Sequence, residues 1–94
     1  MYKSINIKEI NKINVNGNLI DIRDRNSFIL GNIPGSINIP YMNLIMNPEY
    51  YLSKNKVYYV YCSSGKTSKK IVSNLNREGY NLVDLIGGYY EYIN

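Results

Sequence analysis

A chain of 94 residues with one cysteine, Cys62, and a net charge of +4 (11 Lys and Arg against 7 Asp and Glu) narrows the options early. The length suits one domain over residues 1–94, burying roughly 60–68% of its unfolded surface, and a lone cysteine excludes an internal disulfide. The basic balance and the 11 tyrosines would suit nucleic acid, but the lysines are spread over most of the chain and form no stripe, which argues against it.

The opening "MYKSINIKEINK" has scattered charges and no continuous apolar segment, so no secretory signal is expected. No apolar run approaches the ~18–20 residues needed to cross a bilayer. The expectation is a soluble, cytoplasmic protein in a reducing compartment, without membrane contact. "IKEINKI" sets Ile7, Ile10 and Ile13 on one side and predicts a short amphipathic helix.

After the turn signal "NGN", Asn16–Asn18, the run "NLIDIR" reads as a buried strand. "SFIL" predicts one helical turn stopped by Gly31, and "IPGSINIP" a short extended piece ending at Pro40. "YMNLIM", up to Pro48, predicts a second short helix. "KVYYVYC" is β-branched and aromatic throughout, the mark of a central strand covered on both faces. Tyr58, Tyr59 and Tyr61 are therefore expected to pack the strand.

A small-residue loop leads into "TSKKIVSNLNREG", where Ile71, Val72 and Leu75 share a face, Thr67 or Ser68 caps the start and Gly79 ends the helix. Lys69 and Lys70 read as a solvated first turn, since cations there oppose the helix dipole. "NLVDLI" is a further strand, "GG" a turn, and "YYEYIN" a terminal helical piece whose Tyr89, Tyr90 and Tyr92 cover the sheet end. Strands alternating with helices predict an α/β fold with a parallel sheet, whose ligands sit beyond the strands' carboxyl ends. Cys62 lies at such an end.

Two phosphate chemistries fail at this loop. A nucleotide-gripping G-x-x-x-x-G-K-[ST] needs glycine at position 60, where Val60 stands in the strand. A cysteine phosphatase needs an arginine fork six residues after the thiol, where Ser68 stands. What remains is a thiol at the mouth of a loop that opens a helix. The helix N-terminus favours an anion by about 0.3–1 kcal/mol, and loop amides with Lys66 add to it, so thiolate is the expected reacting form.

In its order of motifs the chain resembles the single-domain rhodanese (sulfurtransferase) family. "LIDIRDRNSFILGNIPGSINIP" is similar to the family's Asp-x-Arg strand and Gly-His-Ile-Pro-Gly-Ala segment. "VYYVYCSSGKTSKKIVSNLNREGYNLVDLIGGYYEYI" is similar to its strand, Cys-x-x-Gly-x-Arg-Ser loop, helix, Gly-Tyr, strand and Gly-Gly turn. The resemblance implies a rhodanese-like three-layer α/β fold: a five-stranded parallel sheet with helices on both faces. It implies that Cys62 carries sulfur as a persulfide, cradled by the amides of Ser63, Ser64, Gly65, Lys66, Thr67 and Ser68. Arg23 would approach the anionic substrate, and Asp21 would hold the loop or that arginine, unless the two are an ordinary structural ion pair. The partners implied are a small anionic sulfur donor such as thiosulfate and a thiol or protein acceptor, with no cofactor or metal and a monomer or weak dimer. Three positions depart from the family: Asn32 replaces His, Thr67 takes the Arg place with Lys66 as partial substitute, and Tyr92 stands for Trp. Beside sulfur transfer, two other readings stay open: a non-catalytic or regulatory binding module, and a thiol redox sensor at Cys62.

Overall fold

A computed structural model describes residues 2–15 and 17–94. Five strands, β1 (Ser4–Asn6), β2 (Leu19–Asp21), β3 (Ile37–Asn38), β4 (Val57–Tyr61) and β5 (Asn81–Ile86), form one sheet in the order β1-β5-β4-β2-β3. Every pairing is parallel, so all the carboxyl ends lie along one edge. A 3-10 helix (Ile7–Lys12) and five α-helices complete the chain: α1 (Arg25–Leu30), α2 (Tyr41–Met46), α3 (Pro48–Tyr51), α4 (Lys66–Arg77) and α5 (Gly88–Tyr92).

β4 shows why the sheet is covered twice. Side chains alternate across a strand, and here both sets are apolar. Tyr58, Val60 and Cys62 join the cluster of Ile71, Val72 and Leu75 on α4 and Leu44 on α2. Tyr61 and the half-buried Tyr59 join the opposite cluster, with Ile7 and Ile10 of the 3-10 helix and Tyr89 and Tyr92 of α5. The three-layer expectation holds. Of the tyrosines expected over the sheet end, Tyr89 and Tyr92 pack against this cluster, whereas Tyr90 is 59% exposed.

Three local expectations change, and one strand is new. The "IKEINKI" helix takes the 3-10 form and ends before Ile13: its three-residue repeat stacks Ile7 directly over Ile10, and both are buried, while Ile13 is its C-cap. Thr67 and Ser68 sit inside α4, not at its cap, which is Gly65 at φ 101 without a side-chain cap bond. Pro48 does not merely end α2 but starts α3, because a proline at the first helical position gives up an N–H that would be unpaired anyway. β1 has no apolar pattern of its own and exists by pairing Ser4, Ile5 and Asn6 with Asp84, Leu85 and Ile86. Asn16 of the "NGN" signal lies outside the described residues; Gly17 beside it has φ 76.

The start of α5 braces the end of β4. Tyr89 N–H donates to the Cys62 carbonyl (2.8 Å) and Tyr90 N–H to the Ser63 carbonyl (3.0 Å). Gly88 makes this approach possible: a Cβ there would lie 2.5 Å from Ser63 O and 2.6 Å from Cys62 O, at φ 64. Gly88→Ala therefore combines a left-handed backbone with overpacking against main chain, a loss of at least about 2 kcal/mol. Thermal melts should show a fall of roughly 10 °C; an unchanged melting temperature would contradict this bracing.

Candidate active site

Beyond the carboxyl edge, a cavity of about 140 Å³ opens between two walls. Ile22, Arg23 and Asp24, where β2 runs into α1, form one; Cys62, Ser63, Ser64 and Thr67 form the other. Sites that enclose drug-sized ligands measure roughly 300–1,000 Å³, so this one suits a small ion or the tip of a larger molecule.

Cys62 forms the inner wall and is 5% exposed. Its Sγ accepts from the N–H of Gly65 at 3.1 Å and of Ser68 at 3.3 Å. Ser68 is the third residue of α4, the position whose N–H a capping side chain ordinarily receives. The sulfur therefore takes the cap's place, which is why neither Thr67 nor Ser68 needs to cap. Of the loop amides expected around the sulfur, those of Gly65 and Ser68 reach it. Gly65, at φ 101, permits the turn.

The remaining loop residues are placed differently. Ser63 is half-buried, while Ser64 and Thr67 are exposed on the rim. Lys66 is exposed and lies with Lys69 and Lys70 along a groove on the outer side of α4. It does not line the cavity, so its effect there acts through longer-range potential. Asn32 does not line it either; its Nδ2 donates to Phe28 O at 2.8 Å and extends the end of α1.

Arg23 lines the cavity but is heavily engaged within the protein. Its Nε lies 3.1 Å from both Asp21 oxygens, and Nη2 donates to Asp21 Oδ2 at 2.7 Å and to the Gly31 carbonyl at 2.6 Å. The guanidinium carbon lies 4.1 Å from the centre of the Tyr89 ring and 5.9 Å from that of Tyr61. Burial alone would loosen the guanidinium's proton, but the Asp21 bonds and charge outweigh it, and the pKa rises. Asp21, wholly buried, holds this arginine rather than the loop.

Beneath the pair, burial pushes the Tyr61 phenol well above its ordinary range, keeping it neutral. Its oxygen accepts from Ile33 N–H at 3.1 Å and shares a 3.0 Å bond with Ser36 Oγ. On the rim, the Ser27 hydroxyl and amide lower the pKa of Asp24, the N-cap of α1. An anionic ligand would thus meet a cation and an anion on one wall, and amide dipoles on the other.

Sequence reasoning passed over Asp84 and Tyr2. Asp84 is 1% exposed and receives a hydrogen bond from Ser68 Oγ at 2.6 Å. The signal was an acidic residue in the middle of the apolar run of "NLVDLI". Tyr2 left no signal, because it reaches Asp84 across 82 residues of sequence.

Fold and loop together define the class: a small parallel α/β domain with a thiol seated on helix amides at the sheet's carboxyl edge. Residues 6–94 match the family described as Rhodanese-like domain. A rhodanese-related protein of Thermoplasma volcanium superimposes with a TM-score of 0.86 at 34% identity, over 98% of this chain and 91% of that one. The chloroplastic thiosulfate sulfurtransferase 16 of Arabidopsis thaliana is 32% identical over 82 aligned residues, covering 74% of this chain and 68% of that protein. An adenylyltransferase and sulfurtransferase, uba4 of Ogataea parapolymorpha, is 37% identical over 71 residues, 74% of this chain but only 18% of that larger protein. The chain belongs to the rhodanese-like domain family, and it has relatives named as sulfurtransferases. Among the described residues no helix is long and apolar enough to cross a membrane.

Proposed function

We propose that this protein transfers sulfane sulfur through a persulfide on Cys62. The observation that carries the reading is the seat of the sulfur, which accepts from the N–H groups of Gly65 and Ser68 on the inner wall of a small cavity. Those donors favour negative charge on Sγ and, through the helix dipole, on an atom bonded to it.

The Cys62 thiolate attacks the outer sulfur of a donor such as thiosulfate. An S–S bond forms, the donor's S–S bond breaks, and sulfite leaves with the electron pair. An acceptor thiolate, small or carried by a protein, then attacks the outer sulfur and releases the Cys62 thiolate. With a single cysteine in the sequence, the persulfide cannot close onto a second thiol of the same chain. Covalent transfer of this kind predicts ping-pong kinetics. Arg23 offers the donor a fixed positive charge from within its ion pair, and the exposed Lys66 adds to the potential at the mouth.

Mass spectrometry tests the proposal. After incubation with thiosulfate the protein should gain one sulfur, about 32 Da, lost on adding a reductant and absent from Cys62→Ser. A Cys62 that stays unmodified sinks it and leaves the binding-module reading. If oxidants modify the thiol and sulfur donors do not, redox sensing replaces it.

A further inference from the structure

Behind the sulfur runs a chain of hydroxyls that the displacement chemistry does not use. The Cys62 thiol donates to Ser68 Oγ at 3.5 Å, Ser68 Oγ donates to Asp84 Oδ1 at 2.6 Å, and Tyr2 OH donates to Asp84 Oδ2 at 2.5 Å. Ser68 is wholly buried and Asp84 nearly so. A buried carboxylate ordinarily has a cation beside it, yet among the described residues no ion pair includes Asp84.

The charged and titratable groups around it are few. From the β1 side come Tyr2 and the exposed Lys3, whose carbonyl accepts the Asp84 N–H at 2.8 Å. From α4 come Ser68 and Lys69, the latter with Nζ 5.7 Å from the centre of the Tyr2 ring. Burial first, and then the Asp84 bond and charge, raise the Tyr2 phenol to about 12, so Tyr2 remains a donor at neutral pH. The Ser68 hydroxyl is the group placed to exchange roles: it accepts from sulfur on one side and, of the two acceptors it faces, lies closer to Asp84 Oδ1 (2.6 Å) than to the Gly65 carbonyl (3.3 Å).

We propose that Asp84 receives the Cys62 thiol proton through the Ser68 hydroxyl, making it a positioning and proton-holding residue for the reacting sulfur. The inference rests on Cys62 being that sulfur. In the step, the S–H proton passes to Ser68 Oγ as the Ser68 proton passes to Asp84 Oδ1. One S–H and one O–H bond break, two O–H bonds form, and the net charge is unchanged. The products are a thiolate and a neutral carboxylic acid. The new Ser68 O–H then points at sulfur and adds a third donor to the two amides. Two negative charges separated by one hydroxyl in a dry site disfavour each other, so a proton leaving the thiol is best kept on the carboxylate.

The lone cysteine makes the test direct: the rate of Cys62 alkylation by iodoacetamide, followed from about pH 5 to about pH 9 in wild type and variants. Wild type should level onto a shoulder on the acid side of neutrality, where a fixed fraction of molecules holds the proton on Asp84. Asp84→Asn should lose that shoulder, falling about tenfold near pH 6, yet alkylate at least as fast as wild type at the alkaline end, where repulsion from Asp84 has been removed. The two profiles then cross, which a merely structural role cannot produce. Ser68→Thr should keep the shoulder and Ser68→Ala lose it. Tyr2→Phe, at a partly exposed position, should raise the shoulder, because the carboxylate loses a donor and binds the proton more tightly.

Parallel profiles for wild type and Asp84→Asn, or no shoulder in wild type, overturn the proposal. If Asp84→Asn does not fold, an unchanged shoulder in Tyr2→Phe overturns it. Thiosulfate loading measured on the same samples separates the two claims: persulfide formation without an Asp84-dependent shoulder defeats only the proton path. A shoulder without persulfide defeats only sulfur transfer.

Discussion

Cys62→Ser should lower sulfur-transfer turnover by at least about 10⁴-fold while leaving the fold in place. The loss follows from the nucleophile itself. A serine hydroxyl holds its proton far more tightly than a thiol, and its oxygen is a poor nucleophile toward sulfane sulfur. The loop gives no way around this, because the sequence contains no second cysteine to take over. Stability should change little. A serine oxygen can receive the Gly65 and Ser68 N–H groups that now point at Sγ, so no buried donor is orphaned and the cost is about 1 kcal/mol. A steady-state assay with thiosulfate and a thiol acceptor, alongside thermal melts, checks both halves. Residual turnover above about one per cent would mean that the reaction does not pass through this sulfur.

Arg23→Ala should cost about 3–5 kcal/mol of stability, because it leaves the wholly buried Asp21 carboxylate without its cation. The remaining donor to that carboxylate at this position is the residue-23 amide, now 2.8 Å from Asp21 Oδ1. The Gly31 carbonyl also loses its Nη2 partner, and Tyr89 loses the guanidinium stacked on its ring. For a domain of this size the melting temperature should fall by roughly 15–30 °C. Arg23→Lys should recover only part of it, since an ammonium is a point charge and cannot fill the two-oxygen fork. Replacing both residues with apolar ones should cost less than the single Arg23→Ala change, because the uncompensated charge goes with the pair. Urea unfolding of the three variants measures this. A loss below about 1 kcal/mol for Arg23→Ala would make the pair a surface-like contact and return Arg23 to a purely substrate-facing role.

The two expectations pull Arg23 in different directions. The Asp-x-Arg motif led to an arginine facing an anionic donor, with a structural ion pair as the other possibility. The structure gives it both a place on the cavity wall and a full set of internal bonds through Nε and Nη2. The arginine is therefore held rigid, and its charge is partly neutralised by Asp21 before any donor arrives. Thr67, standing where the family commonly has a second arginine, adds no cation to the rim.

Read alone, the sequence located β4, α4 and β5, placed Cys62 between a buried strand and a helix start, and led to a parallel sheet covered on both faces. These features are legible because each is written in neighbouring residues: continuous apolar strands, the Ile71, Val72 and Leu75 face, and glycine where the chain must turn. What tertiary structure alone decided are the contacts between distant segments. β1 is too polar and short to announce itself and forms by pairing with β5. Tyr2 and Ser68 meet at Asp84 from opposite regions of the chain. Local propensity extends over a few residues, whereas these meetings depend on which faces the packed sheet brings together, and no short window of sequence contains both partners.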